Sequence, residues 1–322
     1  MAYKTQGTTS NINDDGKITF SSDTTVYADS ISTFTPPPPP PMAGAVSGYT
    51  SGGSPPISNV IDKFPFATDA NATDVGDLTQ ARGFSPAGQS SNENGYTSGG
   101  RFPVIFNTID KFPFATDANA TDVGDLTQGR YSAAGQSSNE NGYTSGGRAP
   151  PQVNIIDKFP FATDANATDV GDLTQARRYI AGQSSVENGY SSGGSPSGGT
   201  IDKFPFATDA NATDVGDLTQ ARNSSAGQSS SESGYTSGGS PSGGTIDKFP
   251  FATDANATDV GDLTQARMQV VGQSSTENGY TSGGFAPPEV NTIDKFPFAT
   301  DANATDVGDL TQARYDAAGQ QD

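Results

Sequence analysis

Residues 61–80 read IDKFPFATDANATDVGDLTQ, and the same stretch starts again at Ile109, Ile156, Ile201, Ile246 and Ile293. Successive copies begin 48, 47, 45, 45 and 47 residues apart. A fixed period of this length is typical of repeat proteins, in which each unit buries its apolar surface against neighbouring copies. We therefore expect the constant residues to build a scaffold, and we look for function in the residues that differ between copies.

Each period predicts four short strands. In the first complete period the candidates are residues 87–91, 95–100, 109–114 and 122–127. The third candidate alternates with period two, which places Asp110, Phe112 and Phe114 on one side of a strand. The segment that follows it, residues 115–121, is rich in Asp and Asn, whose side chains hold compact turns by bonding to nearby backbone amides. Four strands in each of six units predict an all-β protein, a six-bladed β-propeller of four-stranded blades.

The two ends of the repeat array predict a closed ring. Residues 48–53 match the second strand of a blade, and residues 318–321 match the start of a first strand. One blade completed by both ends of the array would leave no open sheet edge. The alternative is an open solenoid, in which residues 43–47 supply a first strand locally. A solenoid needs distinct polar caps at its ends. Closure is favoured because the repeat array shows no such caps in the sequence.

The N-terminal part of the chain lacks the repeat. Residues 17–27 are rich in β-branched side chains and predict one or two strands, so residues 1–35 are interpreted as a small β-rich attachment region. Six consecutive prolines follow at residues 36–41. They predict either a polyproline II spacer, at about 3.1 Å per residue, or a linker without a mechanical role, and both interpretations stay open. The propeller is expected to occupy residues 42–322.

Composition narrows the classes of function. The 322 residues contain no Cys, His or Trp, so the side chains most used for thiol chemistry, imidazole catalysis and transition-metal binding are missing. A net charge of −19 makes nucleic acid an unfavourable partner. No run of 18 apolar residues and no leader-like apolar segment is present, so we expect a soluble protein without membrane insertion or a cleaved signal. No cofactor is expected.

The order of residues within each unit resembles the kelch repeat, a family whose repeats form propeller blades. The resemblance is carried in one unit by Gly95, Tyr96, Gly99, Gly100, Phe112, Phe114, Leu126 and Arg130. The fourth strand has Val123 where the kelch pattern has Trp. The N-terminal stretch and the near-identical repeats also resemble tail and fibre proteins of marine bacteriophages. That resemblance implies a location in the virion, at the extracellular surface, and an N-terminal region that contacts other virion structural proteins.

The Asp-rich segment is the main candidate for chemistry among the constant residues. Residues 69–77 carry several oxygen-bearing side chains, which is compatible with calcium binding or with a structural turn. The spacing does not follow the EF-hand pattern, and the two interpretations stay open. Catalysis by these carboxylates is not expected, because acid/base pairs need unlike environments and six symmetric copies provide like ones. We expect no catalytic residues.

Two segments vary between copies while the rest is nearly fixed. One follows the Gly-Gly doublet and joins the second strand to the third; the other follows the repeat's Arg and crosses to the next blade. In an antiparallel four-stranded blade both segments emerge on the same face. Aromatic, Arg and Met side chains in such loops are typical of recognition sites. The candidate binding residues are Arg101, Phe102, Phe106, Arg178, Tyr179, Met268, Phe285 and Tyr315.

These features predict a non-enzymatic virion fibre or adhesin that recognises a host surface through one face of a propeller. The expected target is a host cell-surface glycan or an outer-membrane protein. A structural component of a tail, capsid decoration or filament is the first alternative, and a glycan-processing enzyme is the second. Assembly of a homo-oligomer through the N-terminal region is an interpretation that stays open.

Overall fold

The computed structural model describes residues 11–12, 18–19, 46–241 and 243–322. The chain divides into two units, Met1–Pro39 and Pro40–Asp322. In the first unit, strands β1 (Asn11–Ile12) and β2 (Ile18–Thr19) pair in antiparallel orientation. β2 lies within the stretch predicted to form strands; residues 20–27 and the proline run at 36–41 lie outside the described residues.

The second unit consists of six four-stranded antiparallel sheets, here called blades 1 to 6. Blade 1 contains β3 (Ser47–Ser51), β4 (Val60–Pro65) and β5 (Thr73–Asp77). Blade 2 contains β6 (Ala87–Ser90), β7 (Asn94–Ser98), β8 (Thr108–Pro113) and β9 (Thr121–Asp125). Blade 3 contains β10 (Ala134–Ser137), β11 (Asn141–Ser145), β12 (Ile155–Pro160) and β13 (Thr168–Asp172).

The remaining blades repeat this arrangement. Blade 4 contains β14 (Ala181–Ser184), β15 (Asn188–Ser192), β16 (Thr200–Pro205) and β17 (Thr213–Asp217). Blade 5 contains β18 (Ala226–Ser229), β19 (Ser233–Ser237), β20 (Thr245–Pro250) and β21 (Thr258–Asp262). Blade 6 contains β22 (Val271–Ser274), β23 (Asn278–Ser282), β24 (Thr292–Pro297) and β25 (Thr305–Asp309). The last strand is β26 (Ala318–Gln321).

The last strand completes the first blade. β26 pairs with β3 in antiparallel register, with Ala318 opposite Ser51 and Gln321 opposite Gly48. The first strands of successive blades also lie side by side around the ring, so β6 contacts both β10 and β26. The predicted six-bladed propeller is therefore confirmed, and the open solenoid is wrong. In the described segments, no helix has the length and apolarity needed to cross a membrane.

The apolar core lies between blades, as six similar clusters. Tyr96 and Ile109 of blade 2 pack against Phe159 of blade 3. On the opposite side of the same blade, Phe112 packs against Tyr49 in blade 1. The two sides of the third strand thus pack against different neighbours: Ile109 faces blade 3, and Phe112 faces blade 1. Each blade is buried on both sides, which is why one repeat cannot be stable alone.

A buried ion pair joins each blade to the next. The guanidinium of Arg82, which follows blade 1, lies 2.8 Å from the carboxylate of Asp110 in blade 2, and both side chains are fully buried. The hydroxyl of Thr79 donates to the same carboxylate at 2.7 Å. Burial lowers the pKa of Arg82, and the adjacent Asp110 opposes that shift. The other pairs are Arg130–Asp157, Arg177–Asp202, Arg222–Asp247, Arg267–Asp294 and Arg314–Asp62.

The centre of the ring is tightly packed. A Cβ added at Gly88 would lie 2.1 Å from the carbonyl oxygen of Gly319, and the equivalent glycine in each blade meets its neighbour in the same way. The side-chain amide of Gln89 donates to Ser98 Oγ at 3.0 Å and to the carbonyl of Tyr143 at 2.9 Å, which links two blades. Since the inner strands approach this closely, the two faces of the ring are the places where a ligand has room.

Candidate binding face

The topology places all the variable segments on one face, here called the variable face. Loops between second and third strands and crossings between blades emerge there, and the turns between first and second and between third and fourth strands lie on the opposite, constant face. The residue after each Gly-Gly doublet forms a backbone bridge with the residue that follows the repeat's Arg. The bridges are Gly83–Arg101, Tyr131–Arg148, Arg178–Ser195, Asn223–Ser240, Met268–Phe285 and Tyr315–Ser54. The variable segments therefore pair into six units around the ring.

A closed ring of hydrogen bonds holds the crossings. The residue at the equivalent position of each crossing adopts a left-handed backbone conformation, with φ from 51° to 59°: Ser85, Ser132, Tyr179, Ser224, Gln269 and Asp316. The backbone N–H of each donates to the carbonyl of its counterpart in the preceding crossing, at 2.7–3.1 Å. Ser85 closes the cycle by donating to Asp316 at 3.0 Å. Non-glycine residues in this conformation carry strain of about 1–3 kcal/mol each, and here the ring fixes all six.

Asp316 breaks the chemical symmetry of this ring. Its buried carboxylate accepts hydrogen bonds from Ser85 Oγ at 2.6 Å and from Gln269 Nε2 at 2.8 Å. Burial raises the pKa of Asp316 to about 6, and the two hydrogen bonds oppose that shift. Sequence analysis did not select Asp316, because nothing in the segment Tyr315-Asp316 indicates that one side chain points into the protein and the other does not.

The most exposed variable unit is on blade 2. The guanidinium carbon of Arg101 lies 5.4 Å from the ring centroids of both Phe84 and Tyr131. The neighbouring side chains of Phe102 and Val104 are 50% and 59% exposed. We call these five residues the blade 2 patch. Sequence analysis selected only Arg101 and Phe102 from it, although the other three belong to the same variable segments.

Phe106 was predicted to be a binding residue at the surface, but its side chain is buried. Its side chain is only 7% exposed, and its ring lies 5.4 Å from the guanidinium carbon of the buried Arg82. Phe106 therefore packs between the loop and the buried Arg82 and stabilises the loop from inside the protein. The reason is local: its backbone N–H is bonded to the carbonyl of Gly100 at 2.9 Å, which turns this end of the loop back towards the blade.

The remaining candidates form two further groups. Phe285 and Tyr315 meet edge to face with ring centroids 5.6 Å apart, and Met268 is joined to Phe285 by the backbone bridge described above. Arg178 stacks on its neighbour Tyr179, with its guanidinium carbon 5.0 Å from the ring centroid. All five side chains are half-buried. The structure thus brings the candidates to one face in three separate groups, at blade 2, at blade 6 and at the crossing between blades 3 and 4.

The chain enters the ring on the constant face. β3 begins at Ser47, and the carbonyl of Val46 accepts the backbone N–H of Phe66 at 2.9 Å. In blade 2 the same bond is made by Phe114 to Glu93, a residue of the turn between first and second strands. Val46 therefore takes the place of a constant-face turn, and the variable face lies on the other side of the ring from this point.

The Asp-rich segments lie on the constant face and contact neighbouring blades. The side-chain oxygen of Asn71 accepts the backbone N–H of Asp309 at 3.1 Å, and Asp69 forms an ion pair with Lys295 at 2.5 Å. Asp74 Oδ1 accepts the backbone N–H of Gly76 at 3.1 Å. Within the described segments, no group of three or more acidic, His or Cys residues is placed to hold a metal ion. These contacts favour the structural interpretation of the repeated turn.

Comparison of the chain with protein-family models and with curated proteins finds no match.

Proposed function

We propose that this chain is a non-enzymatic, kelch-like propeller that recognises a host-cell surface through its variable face, as part of a bacteriophage fibre or a related adhesin. Its target is a host cell-surface glycan or an outer-membrane protein. The observation that carries the proposal is the blade 2 patch, in which the exposed side chains of Arg101, Phe102 and Val104 lie in a variable segment and Arg101 rests on the less exposed rings of Phe84 and Tyr131.

The exposure of this patch is unusual within the molecule. In residues 46–241 and 243–322, the large hydrophobic side chains that are exposed are Val46, Phe102 and Val104, at 60%, 50% and 59%. Two of the three lie in one loop of the variable face. Adjacent exposed apolar side chains are typical of interaction sites. Arg101, held against two aromatic rings, adds a cation of the kind enriched in binding hot spots.

The orientation of the chain agrees with this use of the face. The polypeptide enters the ring at Val46 on the constant face, on the other side of the ring from the variable loops. We propose that the N-terminal region binds other structural proteins of the virion. The closed ring of backbone hydrogen bonds beneath the variable loops provides a rigid support, which lowers the entropy lost when a loop binds.

The test uses the full chain, labelled with a fluorophore, on whole cells of a panel of marine Gram-negative bacteria. The double variant Phe102→Ser, Val104→Ser should reduce cell binding by roughly tenfold or more, because hot-spot side chains contribute about 2 kcal/mol or more each. Flow cytometry measures the bound fraction, and a melting curve checks that the ring is intact.

The matched control is Val46→Ser, which removes an equally exposed apolar side chain from the constant face and should leave binding unchanged. Failure to bind any cell of the panel, or equal binding by the double variant, contradicts the proposal. An electron micrograph of the assembly with the variable face buried between subunits would instead support a structural component.

A further inference from the structure

The constant face carries grooves between neighbouring blades. The groove between blades 2 and 3 has a volume of 490 Å³ and is lined by residues 91–94, 139–141 and 160–162. The groove between blades 5 and 6 has a volume of 450 Å³ and is lined by the corresponding residues 230–233, 276–278 and 297–299, with Tyr235 and Lys248. The repeat therefore builds the same groove at different places in the ring.

Each groove contains a rigid aromatic ring. Phe161, at the edge of blade 3, stacks on Tyr96 of blade 2 with ring centroids 4.9 Å apart and planes 24° apart. Its backbone N–H donates to the carbonyl of Glu140 at 2.9 Å, and its side chain is only half-buried. Phe298 stacks on Tyr235 in the same way, at 4.8 Å and 26°. The groove thus offers a fixed, partly open aromatic surface.

The polar side chains around this ring are free to bind a ligand. Asn92, Glu93, Asn139 and Glu140 are exposed, and in the described part of the chain their side chains make no hydrogen bond or ion pair. The turn that carries them is nevertheless fixed, because Ser91 Oγ accepts the backbone N–H of Asn94 at 2.9 Å. A carboxylate accepts hydrogen bonds, and a carboxamide both donates and accepts them. Lys111, which corresponds in blade 2 to the groove residue Lys248 of blade 5, is already paired with Asp164 at 2.5 Å.

We propose that these grooves bind neutral sugar units of a polysaccharide, one unit in each groove. Adjacent hydroxyl groups of a sugar both donate and accept hydrogen bonds, which suits carboxylate and carboxamide partners, and the apolar face of the sugar ring suits the exposed face of Phe161. The net charge of −19 and the exposed Asp residues of this face oppose binding of uronate, sulfate or phosphate groups.

Repetition of the groove adds avidity. The motif Ser-x-Glu-Asn, with Ser in its last position in blade 5, forms the turn between first and second strands in blades 2 to 6. Blade 1 has the two ends of the ring at this position, so the repeated groove is expected at the four interfaces from blades 2–3 to blades 5–6. Weak individual sites on one rigid body raise the overall affinity for a repetitive polymer by about 10²–10⁴.

The experiment measures retention of the full chain on four neutral polysaccharide resins: agarose, cross-linked dextran, amylose and chitin. We expect retention on at least one resin and release by the corresponding free sugar. A variant with Ala at Glu93, Glu140, Glu187, Glu232 and Glu277 should lose roughly tenfold or more of its retention, since avidity falls with every site weakened. Its melting temperature should stay within about 2 °C, because exposed side chains contribute little to stability.

Two further variants separate a binding role from a structural one. Phe161→Leu keeps an apolar side chain against Tyr96 but removes the aromatic face, and it should weaken retention without unfolding the ring. The double variant Phe102→Ser, Val104→Ser on the opposite face should be retained as strongly as the wild type. Absence of retention on all four resins, undiminished retention of the five-Glu variant, or stronger retention on an alginate resin overturns the inference. None of these outcomes depends on binding by the variable face.

Discussion

The hydroxyl of Thr311 donates a hydrogen bond of 2.6 Å to the carboxylate of Asp62, across a sequence separation of 249 residues. The same contact joins Thr79 to Asp110 inside the array at 2.7 Å. The interface that closes the ring is therefore built like the internal ones. Because the C-terminal strand β26 also pairs with β3, both the blade and the interface are completed by residues from opposite ends of the array.

The closing ion pair should be important for stability. Asp62→Ala leaves the guanidinium of Arg314 buried without its carboxylate, and removing one partner of a buried pair costs about 3–5 kcal/mol. Urea unfolding measures the change in free energy. The control Lys295→Ala breaks an exposed ion pair and should cost about 0–1 kcal/mol; equal effects of the two substitutions would show that the buried pair is unimportant.

The packing of the inner strands predicts a strong effect of a single methyl group. In Gly88→Ala the new Cβ would lie 2.1 Å from the carbonyl oxygen of Gly319, so the inner strands must separate, at a cost of about 1–3 kcal/mol or more. Gly199→Ala is the control, because its Cβ meets only the movable carboxylate of Asp217 at 3.3 Å. The two melting temperatures should differ clearly, and similar values would contradict the close approach.

Asp316 predicts a specific pH dependence. Its pKa is raised to about 6, against about 3.9 in the unfolded chain. Its contribution to stability is therefore present in full below about pH 4 and is lost as the pH rises through about 6. Asp316→Asn carries no charge at either pH, so its stability relative to the wild type should increase over this range by about 3 kcal/mol.

Melting curves of both proteins from about pH 4 to about pH 8 measure this difference. The control Glu93→Gln changes an exposed carboxyl whose side chain makes no hydrogen bond, and it should change the melting temperature little because exposed side chains contribute little to stability. A flat difference for Asp316→Asn would mean that the buried carboxyl does not titrate in this range.

Calcium should have little effect on the propeller. Oxygen atoms of Asn71 and Asp74 already accept backbone N–H groups, and Asp69 is paired with Lys295. A ligand stabilises a protein only when it binds the folded state in preference to the unfolded state. We expect equal melting temperatures with millimolar calcium and with a chelator, and a clear rise with calcium would restore the calcium interpretation.

Much of the scaffold could be predicted from the sequence because the signals are local and repeated. The alternation in residues 109–114 indicates a strand, and six copies of it show how many blades to expect. The match of residues 318–321 to a first strand predicted closure. The buried ion pair between Arg82 and Asp110 was not predicted, since the two residues lie in different copies and only the packing of neighbouring blades brings them together.

The sequence by itself determined the number of blades, the strands within each blade and the face that carries the variation. The tertiary structure alone decided which variable side chains reach solvent. Phe102 and Phe106 lie in the same loop, yet one is exposed and the other packs on Arg82, because the path of the backbone after Gly100 depends on contacts with the neighbouring blade. The ring of backbone hydrogen bonds that includes Asp316 has the same origin, because it forms only when the six crossings between blades meet around one axis.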